Sequence, residues 1–155
     1  MIILGIRCST KDYCFAILDG SKKSPKLLQH NRILFPKNYT RPQELKWFSQ
    51  EITDILEKNK IDAIAIKGTE GMASRGSPFV IRTENEAIIQ LAAAIKGIKV
   101  YKKVNCTIAK DLGLKGRTQS LKTDLDYSVF QDFAEIDTCI QEAILVGWST
   151  FHDAR

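Results

Sequence analysis

Two cations stand at the ends of two short apolar runs: Arg7 follows Ile2-Ile3-Leu4-Gly5-Ile6, and Lys67 follows Ile61-Asp62-Ala63-Ile64-Ala65-Ile66. Runs of this kind read as strands, the second as a central strand covered on both faces. Each charge therefore falls where a strand leaves the core. A guanidinium offers a bidentate fork and an ammonium a compact point charge, so the pair could hold a phosphate without hydrolysing it. The competing arrangement pairs each cation with an acid, Glu142 first and Glu70 second. Pairing is the expected arrangement, because charges beside a partly buried sheet edge need partners.

A second group of cations comes later: Lys96, Lys99, Lys102, Lys103, Lys110, Lys115, Arg117 and Lys122, interrupted only by Asp111. Such a group could track a phosphate backbone or form an ordinary solvated face. Tyr101 and Trp148 could stack on bases, although buried packing is the commoner use of such rings. Gly68-Thr69-Glu70-Gly71 and Arg75-Gly76-Ser77 make a polar loop after the Lys67 strand, where sites often open. There is no P-loop and no dinucleotide fingerprint. His30 and His152 have no neighbouring Cys or carboxylate pattern that suggests a triad.

The elements that must position these residues follow from periodicity. Ile2 to Cys8, Tyr13 to Asp19 and Leu27 to Phe35 read as strands separated by turn-forming stretches. Leu45, Phe48, Ile52, Ile55 and Leu56 then recur at helical spacing, after Pro42 and a capping-box candidate of Thr40 and Gln43. That helix should finish near Lys58, ahead of the strand Ile61 to Ile66. Thr83 and Glu86 form a second capping-box candidate for a helix stopped by Gly97. Lys99 to Val104 reads as a strand, and Asn105 can cap a short helix through Asp111. Gly113 to Thr123 reads as a mobile surface loop, Asp124 to Phe133 as a helix, and Asp137 to Trp148 as the last helix. The order predicts an α/β fold: a mixed five-stranded sheet, three antiparallel strands followed by parallel crossovers, flanked by helices.

The chain has 155 residues, 44% hydrophobic and 26% charged, which fits one domain over residues 1–155. A net charge of +5 and a pI near 9.0 are compatible with polyanionic partners. Cys8, Cys14, Cys106 and Cys139 lack the close paired spacing of a zinc site and are expected as reduced, mostly buried thiols. The apolar start is broken by Arg7, too early for a signal-peptide core, and no apolar run approaches a membrane span. A cytoplasmic location with no membrane partner is expected.

Ile3-Leu4-Gly5-Ile6-Arg7-Cys8-Ser9-Thr10 and Asp62-Ala63-Ile64-Ala65-Ile66-Lys67 fall in a particular order with three later stretches. These are Ala73-Ser74-Arg75-Gly76, then Ala92-Ala93-Ala94 with Val100-Tyr101, and finally Glu142-Ala143-Ile144-Leu145. In order and spacing the chain resembles the RNase H-like superfamily, and within it the RuvC-type Holliday junction resolvases. The resemblance spans nearly the whole chain. It implies metal-dependent nucleases in which strand-borne and helix-borne carboxylates hold two divalent ions.

Carried over position by position, the resemblance puts Arg7 where the first strand has its aspartate and Lys67 where the fourth strand has its glutamate. Glu142 fits the last acidic position of the final helix, and Cys139 stands where an acid lies three residues earlier. A unit cation about 5 Å from a divalent ion is repelled by on the order of 6 kcal/mol at an effective dielectric near 20. The expectation is a catalytically degenerate RuvC/RNase H-like domain that binds DNA or RNA through Arg7, Lys67, Arg75, Lys102, Lys103, Lys110, Lys115 and Arg117. No cofactor is expected. An active nuclease would need a rearranged acidic set, Glu70, Asp137 and Glu142, and only then Mg²⁺ or Mn²⁺. A protein-interaction module is the third alternative. The resemblance further implies a homodimer.

Overall fold

The computed structural model describes residues 1–71, 76–115 and 118–151. Five strands form one sheet: β1 (Ile2–Cys8), β2 (Asp12–Gly20), β3 (Pro25–Leu34), β4 (Ala63–Lys67) and β5 (Lys99–Lys103), in the order β3-β2-β1-β4-β5. β1, β2 and β3 pair antiparallel, whereas β4 and β5 add parallel to β1. The parallel pairs are bridged by α1 (Arg41–Lys58) and α2 (Ser77–Lys96); α3 (Asn105–Asp111), α4 (Ser120–Thr123) and α5 (Thr138–Thr150) follow. The mixed sheet and its flanking helices are those expected from the period changes.

Alternation sorts the strand residues onto two faces. Leu4, Ile6, Cys8, Tyr13, Phe15, Ile17, Ile64 and Ile66 pack beneath α1 and α2 with Phe48, Ile52 and Ile89. Ile3, Cys14, Ala16, Leu18, Ala63 and Ala65 pack beneath α5 with Ile140, Ala143, Ile144 and Trp148. Trp148 is buried, donating its indole N–H to the Lys22 carbonyl at 2.9 Å and meeting Phe130 edge-on, so it is a core residue.

Four expectations are corrected. First, α2 starts at Ser77, with Pro78 in its first turn, and not at Thr83. Thr83 donates back to the Phe79 carbonyl, and Glu86 is no cap but a mid-helix acid only 2% exposed.

Second, no helix covers Asp124 to Phe133. The Asp126 carboxylate accepts the Ser128 N–H, and Asp132 is left-handed at φ 52°, so local side-chain bonding yields two single 3₁₀ turns, Tyr127–Val129 and Phe133–Glu135. Third, the loop after Gly113 ends in the α4 turn, whose Leu121 is buried in the α5 core. Fourth, Cys14 and Cys139 are joined in a disulfide and are not reduced, leaving Cys8 buried and Cys106 exposed as free thiols. Periodicity reports which face a cysteine occupies, not what lies across the core from it. The Thr40 box is present: Gln43 accepts the Thr40 N–H at 2.8 Å.

Candidate functional site

Arg7 and Lys67 both point to the α5 side of the sheet, because each lies an even number of residues from small residues that face α5, Gly5 and Ala65. The approach of α5 is unusually close. A Cβ on Gly5 would come within 2.0 Å of the Ala143 carbonyl oxygen, and one on Gly147 within 2.6 Å of the Leu18 side chain. Two glycines let helix backbone rest on strand backbone, and this fixes Glu142, one residue before Ala143, above Arg7.

Arg7 forms an ion pair with Glu142 and places its Nη1 3.5 Å from the Cys139 sulfur. Asp137 caps α5 by accepting the Cys139 N–H at 2.9 Å and is also held by Arg32 of β3 at 2.9 Å. The Cys139 amide first, then Arg32 and Arg7, outweigh burial and hold the Asp137 carboxyl below its ordinary value. Arg32 also grips Asp12, whose other oxygen bonds the Ser9 hydroxyl, and the Asp12 contact leads in raising the Arg32 pKa. These groups line a cleft of about 300 Å³ containing Arg7, Ser9, Asp12, Arg32, Asp137 and Glu142.

At the β4 tip, Lys67 is 4% exposed and donates to the Gly68 carbonyl at 2.8 Å and to Glu70 at 2.9 Å. Glu70 also accepts the Asn105 N–H at 2.8 Å. Burial pushes the Glu70 pKa up, but the Lys67 hydrogen bond and the Asn105 amide prevail and leave it lowered. Of the two arrangements open to Arg7 and Lys67, ion pairing with Glu142 and Glu70 is the one adopted.

The later basic group is dispersed by the fold. Lys103 is 5% exposed and bonds Asp111 at 2.8 Å and the Ser149 carbonyl at 3.3 Å; like Lys67, it offers no accessible ammonium to a strand of nucleic acid. Lys102, on the opposite face of β5, pairs with the buried Glu86. Lys110 and Lys115 are exposed, and Arg75 and Arg117 lie outside the described residues. Arg32 and Asp12 complete the site without any sequence signal of their own. One lies on an edge strand and the other at a strand start, and only the β2–β3 pairing brings them to the β1 tip.

A sheet of three antiparallel strands extended by two parallel ones, with helices on both faces, is the RNase H-like fold in its RuvC-like form. Thermus thermophilus RuvC superposes with a TM-score of 0.77 at 12% identity, covering 100% of this chain and 96% of that one. The same enzyme in complex with a Holliday junction substrate gives a TM-score of 0.75, also at 12% identity, over 100% and 95%. The yeast mitochondrial Holliday junction resolvase gives 0.66 at 10% identity, over 98% of this chain and 79% of that one. No family model and no curated protein matches the sequence.

Proposed function

We propose that this chain is a catalytically degenerate RuvC-like domain that binds nucleic acid without hydrolysing it, branched DNA being the first substrate to test. The observation that carries the reading is the pair of ion-paired cations, Arg7 with Glu142 and Lys67 with Glu70, at the strand tips. On the resemblance, those tips would hold metal-binding carboxylates. The residues present do not fit a pair of divalent ions: the two cations would repel them, and each nearby acid already has a cation or amide partner. The same engagement weighs against a nuclease rearranged around Glu70, Asp137 and Glu142. Among the described residues, no three acids, histidines or cysteines converge as a metal group.

Binding would use the exposed cations, Lys110, Lys115 and Lys102, while Arg7 faces the cleft. Fluorescence anisotropy with a labelled four-way junction should give binding that weakens steeply with salt. Lys110→Glu with Lys115→Glu should reduce the salt slope by about one per lost phosphate contact. Gel analysis of the same junction with Mg²⁺ or Mn²⁺ should show intact strands. Metal-dependent cleavage abolished by Glu142→Gln would instead establish the rearranged nuclease.

The homodimer implied by the resemblance has a surface available on the outer face of α2, where Val80, Leu91 and Ile95 are 55%, 57% and 74% exposed. Light scattering at micromolar concentration should give a dimer that Leu91→Glu with Ile95→Glu converts to a monomer. A wild-type monomer at those concentrations removes this part of the reading.

A further inference from the structure

We propose that Cys14 and Cys139 are a redox-active pair, opened and closed by exchange with low-molecular-weight thiols and disulfides, with Arg7 stabilising the open form. The bridge joins Cys14, the third residue of β2, to the first turn of α5, with the Cα atoms 5.9 Å apart. Its two sulfurs are not equivalent. Cys14 is fully buried between strands, whereas Cys139 is 9% exposed on the rim of the 300 Å³ cleft. The cleft is therefore the route by which a thiol from solution would approach Cys139 and not Cys14.

The charges around Cys139 decide how it behaves once released. Arg7 of β1 lies 3.5 Å from its sulfur. Asp137, the cap of α5, faces Arg32 of β3, which is shared with Asp12 of β2. Glu142 of α5 is the competing partner of Arg7. A guanidinium in contact with the sulfur at the start of a helix favours the thiolate. A disulfide whose reduced form is stabilised in this way is the more readily reduced.

The chemistry balances with a small thiol as reductant. Its thiolate attacks the Cys139 sulfur, forming a mixed disulfide and expelling Cys14, which takes a proton from water. A second thiolate attacks the small-molecule sulfur of the mixed disulfide, giving the oxidised small molecule and freeing Cys139 as a thiolate beside Arg7. Two electrons pass from two thiols to the bridge, and closure is the reverse. Opening releases the first turn of α5 from β2 and gives Arg7 a second anion to bind. The inference is independent of whether the chain binds nucleic acid.

The test uses the full chain with Cys106→Ser, which removes the exposed thiol and leaves Cys8, Cys14 and Cys139. The protein is equilibrated in glutathione redox buffers, quenched in acid, and labelled under denaturing conditions for mass counting. The wild-type Arg7 protein should take one label when oxidised and three when reduced, and Arg7→Gln should shift the exchange equilibrium about tenfold toward disulfide. Three labels without any reductant, or a midpoint that Arg7→Gln leaves in place, overturns the proposal. If Arg7→Gln does not fold, the alkylation rate of the reduced Arg7 protein against pH decides. A midpoint below the free-thiol value of about 8.5 supports the proposal, and one at or above it rejects it.

Discussion

The sheet face under α5 and the face under α1 and α2 are held by different means. Under α1, Tyr13, Phe35, Trp47 and Phe48 interlock with ring centroids 5.0–6.3 Å apart, so contact is made through large side chains that can readjust. Under α5, Ile140, Ile144 and Trp148 also pack as large side chains, but the helix is drawn onto β1 by missing ones, at Gly5 and Gly147, and a covalent bridge ties it to β2. Backbone against backbone has little freedom to relax. The charged groups at the β1 and β4 tips sit at the mouth of this less adaptable face, which keeps Arg7 and Glu142 in one relation. The α1–α2 face has a buried polar group of its own, with Arg41 bonding Asn85 at 2.8 Å and Asn85 bonding the Ser9 carbonyl at 3.1 Å, and its own cleft of about 280 Å³ is lined by Glu51, Asp54 and Lys58 but by none of the strand-tip cations.

The sharpest way to break this contrast is to change the volume of each face by a small step. Gly5→Ala should cost about 3 kcal/mol or more, because the new methyl meets a carbonyl that cannot move away, and should lower Tm by roughly 6–12 °C. Phe48→Leu on the other face should cost only about 1 kcal/mol, since neighbouring rings can fill in. Equal effects in thermal melts would mean that α5 is as adaptable as α1.

A second test reverses the charges at the tips. If cations are what keep divalent ions away, the unaltered chain should melt at the same temperature with and without Mn²⁺, and Arg7→Asp with Lys67→Glu should create an Mn²⁺ dependence of stability. Metal at a hundredfold excess over Kd stabilises by about 2.7 kcal/mol, raising Tm by on the order of 5–10 °C. A double variant whose melting ignores Mn²⁺ would show that more than these two charges excludes the metal.

The smallest effect concerns pH. Asp137 is held below its unfolded value by the Cys139 amide, then by Arg32 and Arg7, and Glu70 is lowered by Lys67 and Asn105 against its burial. Both therefore contribute stability above the unfolded carboxyl values near 4, and that contribution is lost as pH falls from there through the depressed folded values. Asp137→Asn should flatten the decline of Tm between about pH 4 and 2. An unchanged slope would place the acid sensitivity in groups other than Asp137, Glu70 first.

Much of this fold was legible because period and punctuation are local properties. The shift from strand to helix spacing at Thr40 and the Gly97 stop follow from side-chain shape and backbone freedom within a few residues, and the short helix through Asp111 is present, although Asn105 is its first residue and not its cap, the cap position falling to Val104. Legibility failed where a distant or competing partner decided the outcome. Glu86 has the spacing of a capping acid beside Thr83, yet Pro78 starts the helix earlier and Lys102 of β5 takes the carboxylate. The Asp124–Phe133 stretch has enough apolar residues for a helix, but Asp126 bonds its own backbone and the rings turn inward to the α5 core.

For the site, the sequence determined the identity and sign of the groups: cations at two strand ends, acids at Glu70, Asp137 and Glu142, and a thiol at Cys139. That Arg7 meets Glu142, that Lys67 and Lys103 are buried on paired acids, and that Cys14 lies beside Cys139 across 125 residues of chain are outcomes of the assembled fold. Charge type is a property of one residue. Pairing depends on which strands are neighbours and how closely a glycine-faced helix approaches them, and that is settled when the whole sheet closes.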